Sequence, residues 1–307
     1  MATLETTRPR LADLDLPIGK RTRLHQLLYK YGPANGTLLV LPIDQGLEHG
    51  PRDFFPNPDS ADPDYQLSIA REGNFSGIAF QIGIAEKHMG HFPDVPLVLK
   101  LNGKTEIPST PAPISSVNAS VEDALRLGAC AVGYTMYVGT PRQHDDFVQF
   151  RKVREAADRY GMPVIVWAYP RGEAVDKKGG RDGLYAIDYA ARVAYEMGAD
   201  VIKLNMPKVD EESLRAAPKE YQELVGISLE EGMRMVVRSC GRAFTLLSGG
   251  SKISDEDLLE KVNTAMNAGA TGLIFGRNVW QRPHDEAIAI SRRIHEVLAQ
   301  HGDDAQA

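Results

Sequence analysis

Apolar, β-branched runs recur along this chain at intervals that leave room for a helix between them. Eight are legible: Thr37 to Asp44, Gly77 to Ile82, Leu97 to Leu101, Cys130 to Tyr137, Val164 to Tyr169, Val201 to Asn205, Phe244 to Leu247 and Gly272 to Phe275. Between them the pattern takes the period of an amphipathic helix, at Ser120 to Leu127, Phe147 to Tyr160, Ala186 to Met197 and Asp255 to Asn267. Asp188 and Asp255 stand near the expected starts of the last two helices. Small-residue turns precede several runs in phase, as in Leu127-Gly128-Ala129, Met197-Gly198-Ala199 and Ala268-Gly269-Ala270, where glycine can end a helix before the next strand. Residues 20–32 read as an additional helix ahead of the first strand.

Strands alternating with helices build a parallel sheet, and eight is the number that closes as a TIM barrel. We therefore expect an α/β chain in which residues 1–307 form a single (β/α)8 TIM barrel domain. The barrel itself spans approximately residues 36–300, and residues 1–35 supply an N-terminal segment and the extra helix. No fixed-length sequence repeat is visible, which excludes a solenoid. An open doubly wound sheet is the competing arrangement; it uses fewer strands and usually carries a glycine-rich dinucleotide turn after the first strand, absent here.

Composition then narrows the partners. With 43% hydrophobic and 25% charged residues the chain can bury a sizeable core. The net charge of -6 and the lack of a Lys/Arg block leave a nucleic-acid partner without its electrostatic footprint, so a small molecule is expected. Cys130 and Cys240 lie far apart and form neither a CxxC nor another metal-ligand spacing. Met1 to Lys20 lacks the apolar core of a signal peptide, and no apolar run approaches the roughly 20 residues of a membrane span. The expectation is a cytoplasmic protein that does not engage a membrane.

In barrel enzymes reactive side chains come from the C-terminal ends of the strands and the loops after them. Five of the eight ends carry polar groups in otherwise apolar stretches: Asp44, Lys100, Trp167 with Tyr169, Lys203 with Asn205, and Ser248-Gly249-Gly250. Alternation puts Trp167 and Tyr169 on one strand face, and Lys203 and Asn205 likewise. Desolvation and neighbouring cations lower a lysine pKa from about 10.4 to about 7–8, which frees the amine to attack a ketone carbonyl. A structural ion pair between Lys203 and Asp44 is the plain alternative. Lys100-Leu101-Asn102 repeats Lys203-Leu204-Asn205 on an earlier strand, so the residues alone leave open which lysine is the nucleophile.

Tyr169 offers a phenol for proton transfer and Trp167 a flat wall beside it, although aromatics near strand ends are more often packing than catalysis. Ser248-Gly249-Gly250 exposes backbone N–H groups, and Gly276-Arg277-Asn278 adds a guanidinium. Those two turns follow strands seven and eight, where barrels frequently bind phosphate, and such donors suit a phosphate dianion. Histidines are scarce at the strand ends: His49, His88 and His91 follow the first two strands and none lies at the later ones, so neither a catalytic metal nor another cofactor is expected.

The chain resembles the class I fructose-bisphosphate aldolases of archaeal and bacterial type, the DhnA family. The resemblance rests on Leu41-Pro42-Ile43-Asp44-Gln45-Gly46-Leu47-Glu48-His49-Gly50-Pro51, Leu97-Val98-Leu99-Lys100-Leu101-Asn102 and Val132-Gly133-Tyr134-Thr135-Met136-Tyr137-Val138-Gly139. It continues through Val166-Trp167-Ala168-Tyr169, Ala199-Asp200-Val201-Ile202-Lys203, Ser248-Gly249-Gly250 and Gly276-Arg277-Asn278-Val279-Trp280-Gln281. It implies a Schiff-base aldolase of glycolysis and gluconeogenesis that cleaves fructose 1,6-bisphosphate reversibly to dihydroxyacetone phosphate and glyceraldehyde 3-phosphate. It further implies Lys203 as the Schiff-base lysine, Tyr169 as proton donor and acceptor, and Asp44 as the strand-one carboxylate. Trp167, Lys100, Ser248, Gly249, Gly250, Gly276 and Arg277 are the implied substrate contacts, and a homo-oligomer is the implied assembly. Related members of the family act on other phosphorylated sugars, among them an aminodideoxyheptulosonate synthase and a thiolase-like enzyme. A non-catalytic phosphosugar-binding barrel is the reading from a different class. Met206 to Gly226 departs from the family pattern as an unmatched loop after the nucleophile strand.

Overall fold

The computed structural model describes residues 8–108, 111–250 and 252–303; the ends of the expected domain, 1–7 and 304–307, lie outside the described residues. The barrel strands are β1 (Leu38–Pro42), β2 (Gly77–Gln81), β3 (Leu97–Lys100), β4 (Ala131–Val138), β5 (Val164–Pro170), β6 (Val201–Asn205), β7 (Phe244–Ser248) and β8 (Gly272–Ile274). All are parallel, each pairs with its neighbours in sequence, and β8 returns to β1 through Leu38↔Gly272, Leu39↔Leu273 and Val40↔Ile274. The sheet is therefore a closed (β/α)8 barrel with no free edge.

Alternation along each strand sorts the apolar residues into two cores. Leu39, Leu41, Ile78, Phe80, Leu97, Leu99, Val164 and Val166 face outward and pack against the surrounding helices. Leu38, Val40, Ala79, Val98, Ala131, Ile165, Val201 and Leu246 face inward. The inner set is continued by Leu24, Leu27 and Leu28 from the helix Ile18–His25 and the π-helical turn Gln26–Lys30. The expected extra helix thus exists and stops the N-terminal mouth of the barrel, leaving the other mouth for a ligand.

The plug is tied down by charge. Lys20, buried, places Nζ 2.9 Å from Asp200 Oδ2 and 2.7 Å from Asp158 Oδ1. Asp200 Oδ2 also accepts the Val164 N–H at 2.8 Å, so one carboxylate joins the plug to the starts of β5 and β6.

Several boundaries differ from expectation for local reasons. The helix expected from Phe147 begins at Gln143, because its first turn, Gln143-His144-Asp145-Asp146, carries no apolar residue to announce it. Asp188 does not start its helix: Leu184–Glu196 opens after Gly183, and buried Asp188 accepts a hydrogen bond from Tyr221 Oη at 2.6 Å. Ser254, not Asp255, caps Asp255–Asn267, through its side chain and the Asp257 N–H. The segment expected as a loop after β6 contains two short helices, Glu211–Ala216 and Lys219–Gln222. Among the described residues no helix is long and apolar enough to cross a membrane.

Because truncating Asp200 strands a buried ammonium and orphans a buried N–H, Asp200→Ala is expected to lower stability by about 3 kcal/mol, with Asp158 retaining part of the interaction. Urea unfolding measures this; a loss below about 1 kcal/mol is what an ordinary exposed ion pair predicts and contradicts the anchoring role.

Candidate active site

The C-terminal mouth of the barrel opens into a cavity of about 510 Å³, within the roughly 300–1,000 Å³ usual for small-molecule sites. Its lining draws on the ends of β1, β4, β5, β6, β7 and β8. Asp44, Trp167, Tyr169, Lys203, Ser248, Gly249, Gly250, Gly276 and Arg277 all line it, so nearly every expected site residue is brought to one place.

The two lysines of the repeated tripeptide occupy different levels. Lys203, on β6, lines the cavity and is only 4% exposed; its Nζ donates to Tyr169 Oη at 2.6 Å and to Asn205 Oδ1 at 3.1 Å. Lys100 is wholly buried and is not part of the lining. It ends β3 one level deeper, where its Nζ donates to Thr135 Oγ1 at 2.6 Å, lies 3.8 Å from Asp44 Oδ2 and sits 4.1 Å from the centre of the Trp167 ring. Asp44 therefore pairs with Lys100, and the structural pairing of Asp44 with Lys203 considered above does not form within ion-pair distance. The two asparagines diverge as well. Asn102 bonds the backbone of Thr135 on both sides, through Oδ1 at 2.7 Å and Nδ2 at 2.8 Å. Asn205 instead turns Oδ1 to Lys203 and to the Ser248 hydroxyl, which donates to it at 2.8 Å.

Burial dominates the electrostatics. Loss of hydration pulls the Lys203 amine down to about 7 from an ordinary 10.5; Asp44 and Glu48 oppose the shift, while Arg171 and Lys100 add to it. Lys100 is lowered for the same first reason, against the same two carboxylates. Neighbouring cations are thus a minor cause compared with desolvation. The Tyr169 phenol is held well above its ordinary range by burial and then by Asp44 and Glu48, so it rests protonated.

Gly133 makes the lower layer possible. A Cβ there would lie 2.8 Å from both Lys100 Cδ and Trp167 Cζ3, so only glycine lets the lysine stem and the indole cross at this level of β4. At the other side of the mouth, Gly249 and Gly276 are similarly crowded, the first by Asn278 Nδ2 at 2.8 Å and the second by Gln45 Nε2 and the Pro42 carbonyl at 3.0 Å. Close packing here keeps the β7 and β8 turns bare, with Arg277 opening the short helix Arg277–Trp280 and lying 3.8 Å from Asp53.

A model of the DeoC/LacD family aldolases matches residues 38–282, the whole barrel from first strand to last. The chain belongs to this family. This aldolase is 39% identical to the class 1 fructose-bisphosphate aldolase of Thermoproteus tenax over 264 residues, 86% of this chain and 90% of that one. It is 32% identical to the fructose-bisphosphate aldolase/6-deoxy-5-ketofructose 1-phosphate synthase of Methanocaldococcus jannaschii over 272 residues, 85% of this chain and 81% of the relative. An archaeal fructose-1,6-bisphosphate aldolase, solved with its catalytic lysine covalently bound to the carbinolamine intermediate of the substrate, superposes with a TM-score of 0.77. It is 37% identical, across 90% of this chain and 99% of that one.

Three side chains of this aldolase's site were not singled out from the sequence. Glu48 lies four residues beyond Asp44 on the helix Gln45–His49, Tyr137 follows Thr135 on the inner face of β4, and Arg171 lies two beyond Tyr169. All three were legible by spacing: one helical turn for Glu48, one strand repeat for the others. Tyr137 stacks with Tyr169 at 6.4 Å between centroids, and the Arg171 guanidinium lies 5.0 Å from the Tyr169 ring. Two of the histidines noted in the sequence are engaged with acids, His49 Nδ1 with Asp53 at 2.7 Å and His88 Nδ1 with Asp64 at 2.7 Å.

Gly133→Ala is expected to destabilise by about 1–3 kcal/mol through overpacking and, by displacing Lys100 and Trp167, to reduce aldol cleavage. Chemical denaturation and an aldolase assay on the same preparation check it; an unaltered variant contradicts the packing argument.

Proposed function

We propose that this chain is a Schiff-base aldolase that cleaves fructose 1,6-bisphosphate reversibly to dihydroxyacetone phosphate and glyceraldehyde 3-phosphate, with Lys203 as the nucleophile. The observation that carries the reading is a desolvated amine at the cavity floor with a phenol 2.6 Å away. Imine formation between Lys203 and the C2 ketone supplies an electron sink, so the carbanion left by C3–C4 cleavage is held as an enamine. Tyr169 takes the C4 hydroxyl proton as the aldehyde departs and later returns a proton to C3. To act as the base its phenol must first release its proton to solvent at the cavity mouth, and the positive charge of an iminium at Nζ is what favours that ionisation.

Ser248, Gly249, Gly250, Gly276 and Arg277 bind the phosphate next to C2 and fix the ketone near Nζ, an orientation effect of about 7–11 kcal/mol in the best intramolecular cases. A second group of cations, Lys104 after β3 with Arg171 and Arg181 after β5, also lines the mouth. In the ring of strands β3 lies four places from β7, so the two cationic regions suit a ligand with anionic groups at both ends. That favours a bisphosphate over a monophosphate. Trp167 forms the wall beside the reacting carbons, and Lys100 acts from below as the counter-charge of Asp44.

Lys203→Met is expected to abolish both turnover and borohydride trapping of fructose 1,6-bisphosphate, since it keeps the apolar stem and removes the nucleophile. In the unaltered protein only the neutral amine attacks, so the trapping rate should rise about tenfold per pH unit below the Lys203 pKa of about 7 and level off above it. Trapping that persists in the variant, or saturable binding with no trapping in the parent, points instead to another lysine or to a phosphosugar-binding module.

Tyr169→Phe is expected to reduce cleavage by about 10²–10⁴-fold while the imine on Lys203 still forms, because imine formation precedes the carbon–carbon step. Near-normal cleavage removes Tyr169 from proton transfer and leaves it a packing residue.

A further inference from the structure

Among the described residues that line the cavity, none comes from the segment 206–226, the stretch after β6 that departs from the family pattern. The segment is nevertheless built to stay in place. Leu214 and Ala217 are buried, and Tyr221 Oη donates to the buried Asp188 at 2.6 Å. Val209 packs so closely on the helix Leu229–Ser239 that a Cβ on Gly232 would lie 2.8 Å from its Cγ1. What the segment grips is the end of the loop after β5. The Lys208 N–H donates to the Asp182 carbonyl at 2.7 Å, the Leu184 N–H donates to the Lys208 carbonyl at 3.0 Å, and Gly183 pairs with Lys208 as a short parallel bridge. Three residues earlier in that loop, Gly179 (φ +96°) lies against Ser213, whose carbonyl oxygen would be 2.4 Å from a Cβ at this position.

Arg181 stands between these two clamps and lines the cavity. Its side chain is more than half exposed, with Nε 3.9 Å from Asp182 Oδ2, and Asp182 is engaged in turn by Asn205 Nδ2 at 3.2 Å. The other arginine of the loop is fixed by different means. The Arg171 N–H donates to the Val138 carbonyl at 2.9 Å, its Nη1 donates to the Pro170 carbonyl at 2.7 Å, and its guanidinium lies 5.0 Å from the Tyr169 ring. The grip of the segment therefore falls on Arg181 and not on Arg171. A long exposed side chain on an unheld loop loses much of what an anion contact contributes, because backbone and side chain must both be ordered on binding.

Resting on the Schiff-base reading, we propose that the segment 206–226 is a specificity element: it holds Arg181 at the mouth, where the guanidinium takes the anionic group at the end of the ketose remote from the imine. Arg181 is the contact, and Gly179, Ser213 and Lys208 position it. The element thereby sets the preference for a ketose bisphosphate over a ketose 1-phosphate. Both sugars present the same C2 ketone and the same adjacent phosphate, so the element decides which sugar is held and leaves the carbon–carbon step alone.

The test reads kcat and KM for fructose 1,6-bisphosphate and for fructose 1-phosphate in the unaltered protein, Arg181→Ala, Gly179→Ala and the double variant. Each single variant is expected to lower kcat/KM for the bisphosphate about tenfold through KM, with the monophosphate changed by less than about twofold. A merely structural disturbance moves both sugars together. The double variant is expected to lose no more than about twofold beyond either single one, since both changes remove the same contact. An unchanged preference in Arg181→Ala or Gly179→Ala, or additive losses in the double variant, overturns the proposal. If Gly179→Ala does not fold, Leu214→Ala loosens the segment from within and carries the decision: its preference should fall at least about threefold, and an unchanged preference overturns the assignment. An unaltered protein that cleaves both ketoses with equal kcat/KM also overturns it and leaves the Schiff-base reading standing. One that cleaves neither ketose, and traps no dihydroxyacetone phosphate with borohydride, refutes that reading itself.

Discussion

Everything at this mouth depends on keeping two amines out of water inside a closed barrel. Lys100 is wholly buried and Lys203 nearly so, and an isolated ammonium in such a place is prohibitively expensive. The structure resolves the cost in two ways. Lys100 keeps a counter-charge in Asp44 and a hydroxyl partner in Thr135. Lys203 has only neutral hydrogen-bond partners, a phenol and an amide, and its amine is pulled down to about 7. The same residue type therefore keeps a counter-charge on β3 and stands among neutral partners on β6, where the nucleophile is proposed, and the difference lies in the partners that each strand end supplies.

That difference explains what could be read from the chain and what could not. The barrel was legible because both its signals are local: apolar runs of strand length and the in-phase glycine turns between them. The strand-end rule then found Asp44, Trp167, Tyr169, Lys203 and both glycine turns, which the closed sheet gathers around one cavity. The level at which each lysine sits was not legible, because Lys100-Leu101-Asn102 and Lys203-Leu204-Asn205 are the same tripeptide. Whether the asparagine is consumed by Thr135 or left to face the amine is decided across the sheet. Glu48 was passed over for a related reason. It follows the strand end by a full helical turn, and a rule confined to strand ends does not reach into the short helix that follows.

The opposite mouth contributes by being closed. Leu24, Leu27 and Leu28 fill the bottom of the inner core, and Lys20 fixes their helix to Asp200, three residues before Lys203. Water that entered from below would rehydrate Lys203 and return its amine toward an ordinary pKa. The motif Ala199-Asp200-Val201-Ile202-Lys203 thus carries two tasks on one strand: its first charged residue seals the barrel, and its second is the proposed nucleophile, kept dry by that seal.

A carboxyl group near a desolvated amine is ordinarily a hazard to nucleophilic catalysis, since its negative charge restores the ammonium. Asp44 and Glu48 both act on Lys203 in that direction. Burial outweighs them because neither bears on the amine unopposed. The charge of Asp44 is shared with Lys100, and that of Glu48 is suppressed by its own desolvation. A carboxyl pushed toward its acid form thereby stands near an amine pulled toward its neutral form. One physical cause, exclusion of water from the inner layer, accounts for both states, and a variant that admitted water would lose the two together rather than one at a time.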